Sequence, residues 1–152
     1  MSFETILGFI DFPQVIMALK LLLAALLGGL IGYEREQQAR PAGLRTHMLV
    51  SMGAAVFSML AFAAYPNNPN QGIMASSIVI GIGFIGAGTI VHFKEKIFGL
   101  TTAASLWLTA SIGVAVGTGF YFLAMIAAVI GFLILSLKPM EKEIRRNSKR
   151  KK

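Results

Sequence analysis

The sequence predicts an all-α integral membrane protein with five transmembrane helices, and three observations carry that reading. Hydrophobic residues make up 55% of the 152 positions and charged residues only 14%, the composition of a bundle dissolved in lipid. Five apolar runs, Gln14–Tyr33, Thr46–Tyr65, Ile73–His92, Leu100–Gly117 and Phe120–Leu137, each approach the roughly 20 residues that cross about 30 Å of hydrocarbon. Much of the glycine, 16 residues in all, falls inside these runs, where membrane helices use it for close backbone contact. The runs form one membrane domain over residues 1–137, followed by a basic tail over 138–152.

Met1–Asp11 has no basic stretch and carries Glu4 and Asp11, so the first long run is expected to stay in the chain as a span. Phe3, Ile6, Leu7 and Ile10 recur at helical spacing, and Ser2–Asp11 reads either as a short interfacial helix or as a frayed end. Pro13 opens the first span. Arg40-Pro41-Ala42-Gly43 interrupts the first pair of runs, because proline holds Arg40 out of the helical region and Gly43 can take positive φ. Pro66-Asn67-Asn68-Pro69-Asn70 is an uncharged turn. Lys94-Glu95-Lys96 is a short charged loop, and Gly117-Thr118-Gly119 a tight link that folds the last two runs into an antiparallel hairpin. The fourth run, short and interrupted by glycine, is the weakest span of the five.

Basic residues set the orientation. With the tail inside, the Glu34–Arg45 and Lys94–Lys96 segments are inside too, and the other two loops carry no charge. Only Lys20 of the 14 Lys and Arg residues falls elsewhere. The expected topology is N-out, C-in. The net charge of +7 is concentrated in the tail beside an apolar segment, which points to anionic lipid headgroups and away from nucleic acid. Cysteine is absent, which excludes disulfides and thiolate metal sites.

Candidate chemistry gathers between the first two spans. Glu34, Arg35 and Glu36 are consecutive on a helix, so their side chains diverge and are not expected to serve one site. Glu36 and Arg40 have the favourable i, i+4 order. Arg45 and His47 begin the second span, and Thr101 and Thr102 are cap candidates for the fourth. Two helix N-termini beside an arginine would attract an anion. Glu34 or Glu36 could instead neutralise Arg45, or approach a hydrated Mg²⁺, which is held by one or two carboxylates. A buried Glu–Arg clamp that fixes the elbow accounts for the same residues.

Lys20 is the charge deepest in an apolar run and reads as a snorkelling or structurally hydrogen-bonded side chain, with a functional role as the alternative. Thr89, Ser105 and Thr109 are polar positions within the spans. Gly81-Ile82-Gly83-Phe84-Ile85-Gly86 matches GxGxxG literally. It lies inside an apolar span with no acidic residue at the distance a ribose would need, so it reads as a packing face. Gly81, Gly83, Gly86 and Gly88 would then put the third helix at the centre of the bundle. Gly28 with Gly32, and Gly113 with Gly117, are small-xxx-small pairs of the same kind. No Ser–His–Asp arrangement occurs, and the single aspartate, Asp11, lies on the opposite side from His47 and His92. No enzymatic activity is expected.

Gly28–Glu36 with Arg40–His47, then Gly81–Thr89, then Gly99–Trp107, resemble in order three signatures of the MgtC/SapB membrane family. The resemblance implies a five-span bacterial inner-membrane protein linked to magnesium limitation, acid tolerance and survival inside host cells. In some members it implies interaction with the membrane ATP synthase. Asn70, Ile73 and Ser77 stand where members often carry aspartate, arginine and glutamine, and a basic tail stands where longer members add a soluble domain, as in the short SapB-like type. Three functions compete: a Mg²⁺-related transporter, a non-transporting regulatory protein that binds another membrane complex, and a small enzyme acting on lipid headgroups. A homo-oligomer is also expected, and the glycine-rich helix faces are read as the surface for another membrane complex.

Overall fold

A computed structural model describes residues 12–64 and 71–137. The expected interfacial segment Ser2–Asp11, the Pro66–Asn70 turn and the basic tail lie outside the described residues. Five helices account for most of the rest: α1 (Phe12–Gln37), α2 (Leu44–Ala64), α3 (Gln71–Gly88), α4 (Leu100–Thr118) and α5 (Tyr121–Ser136). Strands β1 (Val91–Phe93) and β2 (Lys96–Phe98) form an antiparallel hairpin between α3 and α4. Three helices, α1, α2 and α4, are long and apolar enough to cross a membrane, while the apolar parts of α3 and α5 are shorter.

Helix α1 runs past the apolar stretch through Glu34, Arg35 and Glu36 to Gln37, because its last polar turn finds partners inside the bundle. The chain then reverses through Gln38–Gly43, where Ala39 takes φ 50°. Backbone donation from Arg40 N–H to Arg35 O at 3.0 Å caps the end of α1. At the other tight link Gly119 adopts φ 91° and its N–H reaches Val116 O at 3.1 Å. Glycine takes this left-handed backbone without steric cost, so α4 can turn directly into α5 as an antiparallel partner.

The glycines decide which helices touch. A Cβ on Gly28 would lie 2.6 Å from His47 O, and one on Gly32 2.7 Å from Leu44 Cα, so α1 and α2 meet almost backbone to backbone. A Cβ on Gly113 would come within 2.1 Å of Ser51 O, and one on Gly117 within 2.7 Å of Ala55 O, which seats α4 on α2 in the same way. Helix α4 also touches α1, α3 and α5, and the main core joins Ile31, Ala55, Ile112, Val116 and Ala128 around it. The run that looked weakest in the sequence is the central helix of the bundle.

Two expectations are corrected here. The third helix stops at Gly88, not His92, and the charged loop is the turn of a β-hairpin, so the described residues are not purely helical. Ile90-Val91-His92-Phe93 and Ile97-Phe98 are β-branched and aromatic, which favours extended pairing, while the preceding glycines weaken helix continuation. Helix α3 is peripheral, not central. A Cβ on Gly81, Gly83 or Gly88 would meet nothing within 4 Å, and one on Gly86 would make an ordinary 3.6 Å contact with Ala103. Against the bundle α3 buries Ile82 and Gly86, while Ile80, Phe84 and Ile85 face outward.

Candidate functional site

The polar residues collect at one end of the bundle, where α1 and α5 finish and α2 and α4 begin. Two constellations form there, one joining α1 to α5 and the other joining α2 to α4.

The first joins α1 to α5. Arg35 is 1% exposed and Glu34 is 5% exposed. The guanidinium donates through Nε to the Glu34 carboxylate and through Nη2 to Leu135 O at 3.1 Å, the latter an orphan carbonyl in the last turn of α5. Gln38 Nε2 donates to the other oxygen of Glu34 and reaches Leu135 O at 3.3 Å. The adjacent pair Glu34–Arg35 therefore serves one site despite diverging Cα–Cβ directions, because the long guanidinium folds back along the helix. Placing the cation on the C-terminal turn of α5 also suits that helix's dipole. Gln38 and Leu135 were not singled out in the sequence, and Arg35 was expected to diverge from Glu34. The spacing of Glu34 and Gln38, one turn apart, was the available signal.

The second constellation joins α2 to α4. His47 is fully buried. Its Nδ1 lies 2.9 Å from Gly43 O and its Nε2 lies 3.1 Å from Ser105 Oγ. Ser105 Oγ is also 2.8 Å from Thr102 O, and Thr109 Oγ1 donates to Ser105 O at 2.8 Å. The neutral ring with its proton on Nδ1 donates to Gly43 and accepts from Ser105. Thr102, Ser105 and Thr109 are thus buried on the inner face of α4, and Ser105 meets the histidine on α2.

The other sequence candidates stand apart from these groups. Glu36 is exposed, and its Oε2 accepts from Leu44 N–H at 2.8 Å, so it caps α2 from the preceding helix in place of pairing with Arg40. A Cβ on Gly43 would run into that carboxylate. Arg45 is exposed, and the partner of Glu34 is Arg35. Thr101 is exposed, and the N-cap of α4 is Gly99, at φ 89° and with no side-chain cap. Thr89 Oγ1 bonds its own helix at Gly86 O, 2.8 Å away.

The carboxylates of this end have their ligands already. Both Glu34 oxygens and one of Glu36 are engaged within the protein, and no group of three His, Cys, Asp or Glu side chains suited to a metal occurs among the described residues. A resident Mg²⁺ does not fit the arrangement at Glu34 and Glu36 as it stands. Three buried polar atoms lack partners among the described residues: Gln38 Oε1, Arg40 Nε and Ser51 Oγ.

A sequence pattern described as the MgtC family matches residues 21–143, which include every residue of both constellations. The chain belongs to the MgtC family. Among curated proteins it is similar to protein MgtC of Salmonella typhimurium strain LT2, at 48% identity over 119 residues that cover 78% of this chain and 49% of that protein. It is similar to the "Putative magnesium transporter YhiD" of Escherichia coli K12, at 41% identity over 126 residues, 78% of this chain and 59% of that protein. An uncharacterised protein of Haemophilus influenzae is 36% identical over 149 residues, 91% of this chain and 63% of its own length. The chain thus spans about half to three fifths of the length of these MgtC-type relatives. No solved structure matches it.

At the far end of the bundle this MgtC-family chain holds Lys20. Its Nζ donates to Gly117 O at 3.0 Å and lies 5.8 Å from the centre of the Tyr121 ring. The ammonium satisfies a carbonyl in the last turn of α4, so the lysine has a structural hydrogen bond at that depth. A cavity of about 350 Å³ opens beside it, lined by Pro13, Met17, Met59, Phe62 and other largely apolar side chains. A second, of about 730 Å³, lies between α2, α3 and α4 over Gly53, Gly81 and Ile82.

Proposed function

We propose that this protein is a multi-pass, N-out/C-in protein of the bacterial inner membrane that serves magnesium homeostasis as a non-enzymatic interaction partner and does not itself carry ions. One observation carries the reading: among the described residues no route lined by charge runs through the bundle. Among the described residues the acidic side chains are Glu34, Glu36 and Glu95, all at the same end of the helices. Cation pathways through a membrane place carboxylates or stacked carbonyls at depth. Here the middle of the bundle is Ala54, Ala55, Ala110, Ile112 and Gly113, packed against each other.

The kinship with MgtC and with a protein named for magnesium transport supports the link to magnesium. The outward faces of α3 and α5 supply surface for another membrane complex. The membrane ATP synthase is the partner that the family resemblance implies for some members. The purified protein in liposomes is expected to pass Mg²⁺ no faster than empty vesicles, while affinity capture from native membranes recovers a reproducible membrane complex. Flux above the empty-vesicle rate would overturn the reading in favour of transport.

A further inference from the structure

The β1–β2 hairpin has no role in either constellation. Its register pairs Val91 with Phe98, His92 with Ile97 and Phe93 with Lys96. Side chains opposite each other in a ladder share a face, so Val91, Phe93, Phe98 and Lys96 form one face, with His92 and Ile97 on the other. Val91, Phe93, Ile97 and Phe98 are each more than half exposed. Every substantial contact of the two strands is with each other and not with the helices. The base is nonetheless fixed. A Cβ on Gly99 would lie 1.9 Å from Thr89 O, so the chain enters and leaves the hairpin through one tight point. The turn residue Lys94 holds φ 54°, with its ammonium 5.7 Å from the Phe93 ring.

An exposed aromatic face on a short hairpin in water would be an aggregation hazard. This hairpin joins the ends of α3 and α4 at the level where Glu34, Arg35 and Glu36 mark the end of the apolar zone. Strands of three residues reach about 10 Å, far short of the roughly 30 Å of hydrocarbon, so the hairpin can rest on the bilayer but not cross it. Lys94 and Lys96 flank Glu95 at the tip, which leaves the tip positive and complementary to anionic lipid.

We infer that the hairpin is a membrane-surface anchor: it lies along the bilayer with Val91, Phe93 and Phe98 set into the headgroup layer, and Lys94 and Lys96 on the phosphates of anionic lipids. The inference rests on the membrane topology proposed above. The natural absence of cysteine makes single-cysteine spin labelling direct. The 152-residue chain with Phe93→Cys, His92→Cys or Phe57→Cys is placed in vesicles of phosphatidylcholine alone or with phosphatidylglycerol, and collisions with oxygen and with a water-soluble nickel chelate are measured.

Phe57, exposed on α2, reports the hydrocarbon. The expected result is oxygen-dominated contact at Phe57 and Phe93 and nickel-dominated contact at His92, with Phe93 deeper when phosphatidylglycerol is present. Lys94→Gln with Lys96→Gln should remove that lipid dependence. Oxygen contact at Phe57 with nickel contact at Phe93 overturns the anchor alone, and nickel contact at Phe57 overturns the topology with it. Shielding of Phe93 from both reagents assigns the face to a second copy or another protein and overturns the lipid assignment. Equal depth in both lipid mixtures overturns the role of the lysines.

Discussion

The imidazole Nε2 of His47 on α2 lies 3.1 Å from the hydroxyl of Ser105 on α4, with the ring fully buried. A neutral ring and one hydroxyl carry two protons for three links, to Gly43 O, between the two side chains, and to Thr102 O. Ser105 therefore divides its proton between the ring and its own helix. A double-mutant cycle of His47→Ala and Ser105→Ala, read by thermal unfolding in detergent, should give a coupling of about 1 kcal/mol. Additive losses would mean that the two groups are neighbours without a bond.

Close helix crossings make the glycines unequal. Gly113→Ala forces a methyl into Ser51 O and should cost more than about 2 kcal/mol, since backbone cannot yield as a side chain can. Gly83→Ala meets open space and should be neutral or stabilising by up to about 1 kcal/mol through helix propensity. Melting temperatures in detergent test the contrast, and equal losses would contradict the packing. A selective loss of oligomer in Gly81→Leu or Gly83→Leu would place the expected homo-oligomer interface on α3.

The Glu34–Arg35 pair is buried, so removing one partner leaves an uncompensated charge. Glu34→Gln and Arg35→Leu should each destabilise by about 3–5 kcal/mol, and the double variant should cost less than the two combined. Denaturation of the single and double variants measures this. Full additivity would show that the charges do not depend on each other.

Lys20→Met exchanges one hydrogen bond to Gly117 O for relief of a charge at membrane depth. Loss of about 1–3 kcal/mol for a bond from a charged donor opposes a gain of about 3 kcal/mol on insertion scales. Stability should therefore change by no more than about 1–2 kcal/mol, and partner capture should be unchanged. Loss of partner capture with normal stability would make Lys20 part of the functional surface.

The polar end of the bundle was legible as a region but not as a set of contacts. Glu34 and His47 stood out because charge beside long apolar runs is costly. Their pairings did not, since Leu135 contributes a backbone carbonyl and Ser105 was legible only as one of several polar positions within the spans. Arg45 drew attention as a charge near a helix start, but it is exposed, while Arg35, one residue from Glu34, makes the ion pair.

Sequence by itself determined the membrane class, the helical runs, the α1–α2 elbow and the α4–α5 hairpin. These follow from hydropathy and from turn chemistry at Pro41 and Gly119, which act over a few residues; Gly43 does not take the positive φ expected of it, and Ala39, at φ 50°, turns the elbow instead. Only the tertiary structure decided that α4 is central and α3 peripheral, because both helices carry closely spaced glycines and only their neighbours show which of these are packed. It also decided that Ile90–Phe98 pairs as a hairpin, since extended pairing needs two segments to meet at Thr89 and Gly99. A single strand cannot signal that encounter.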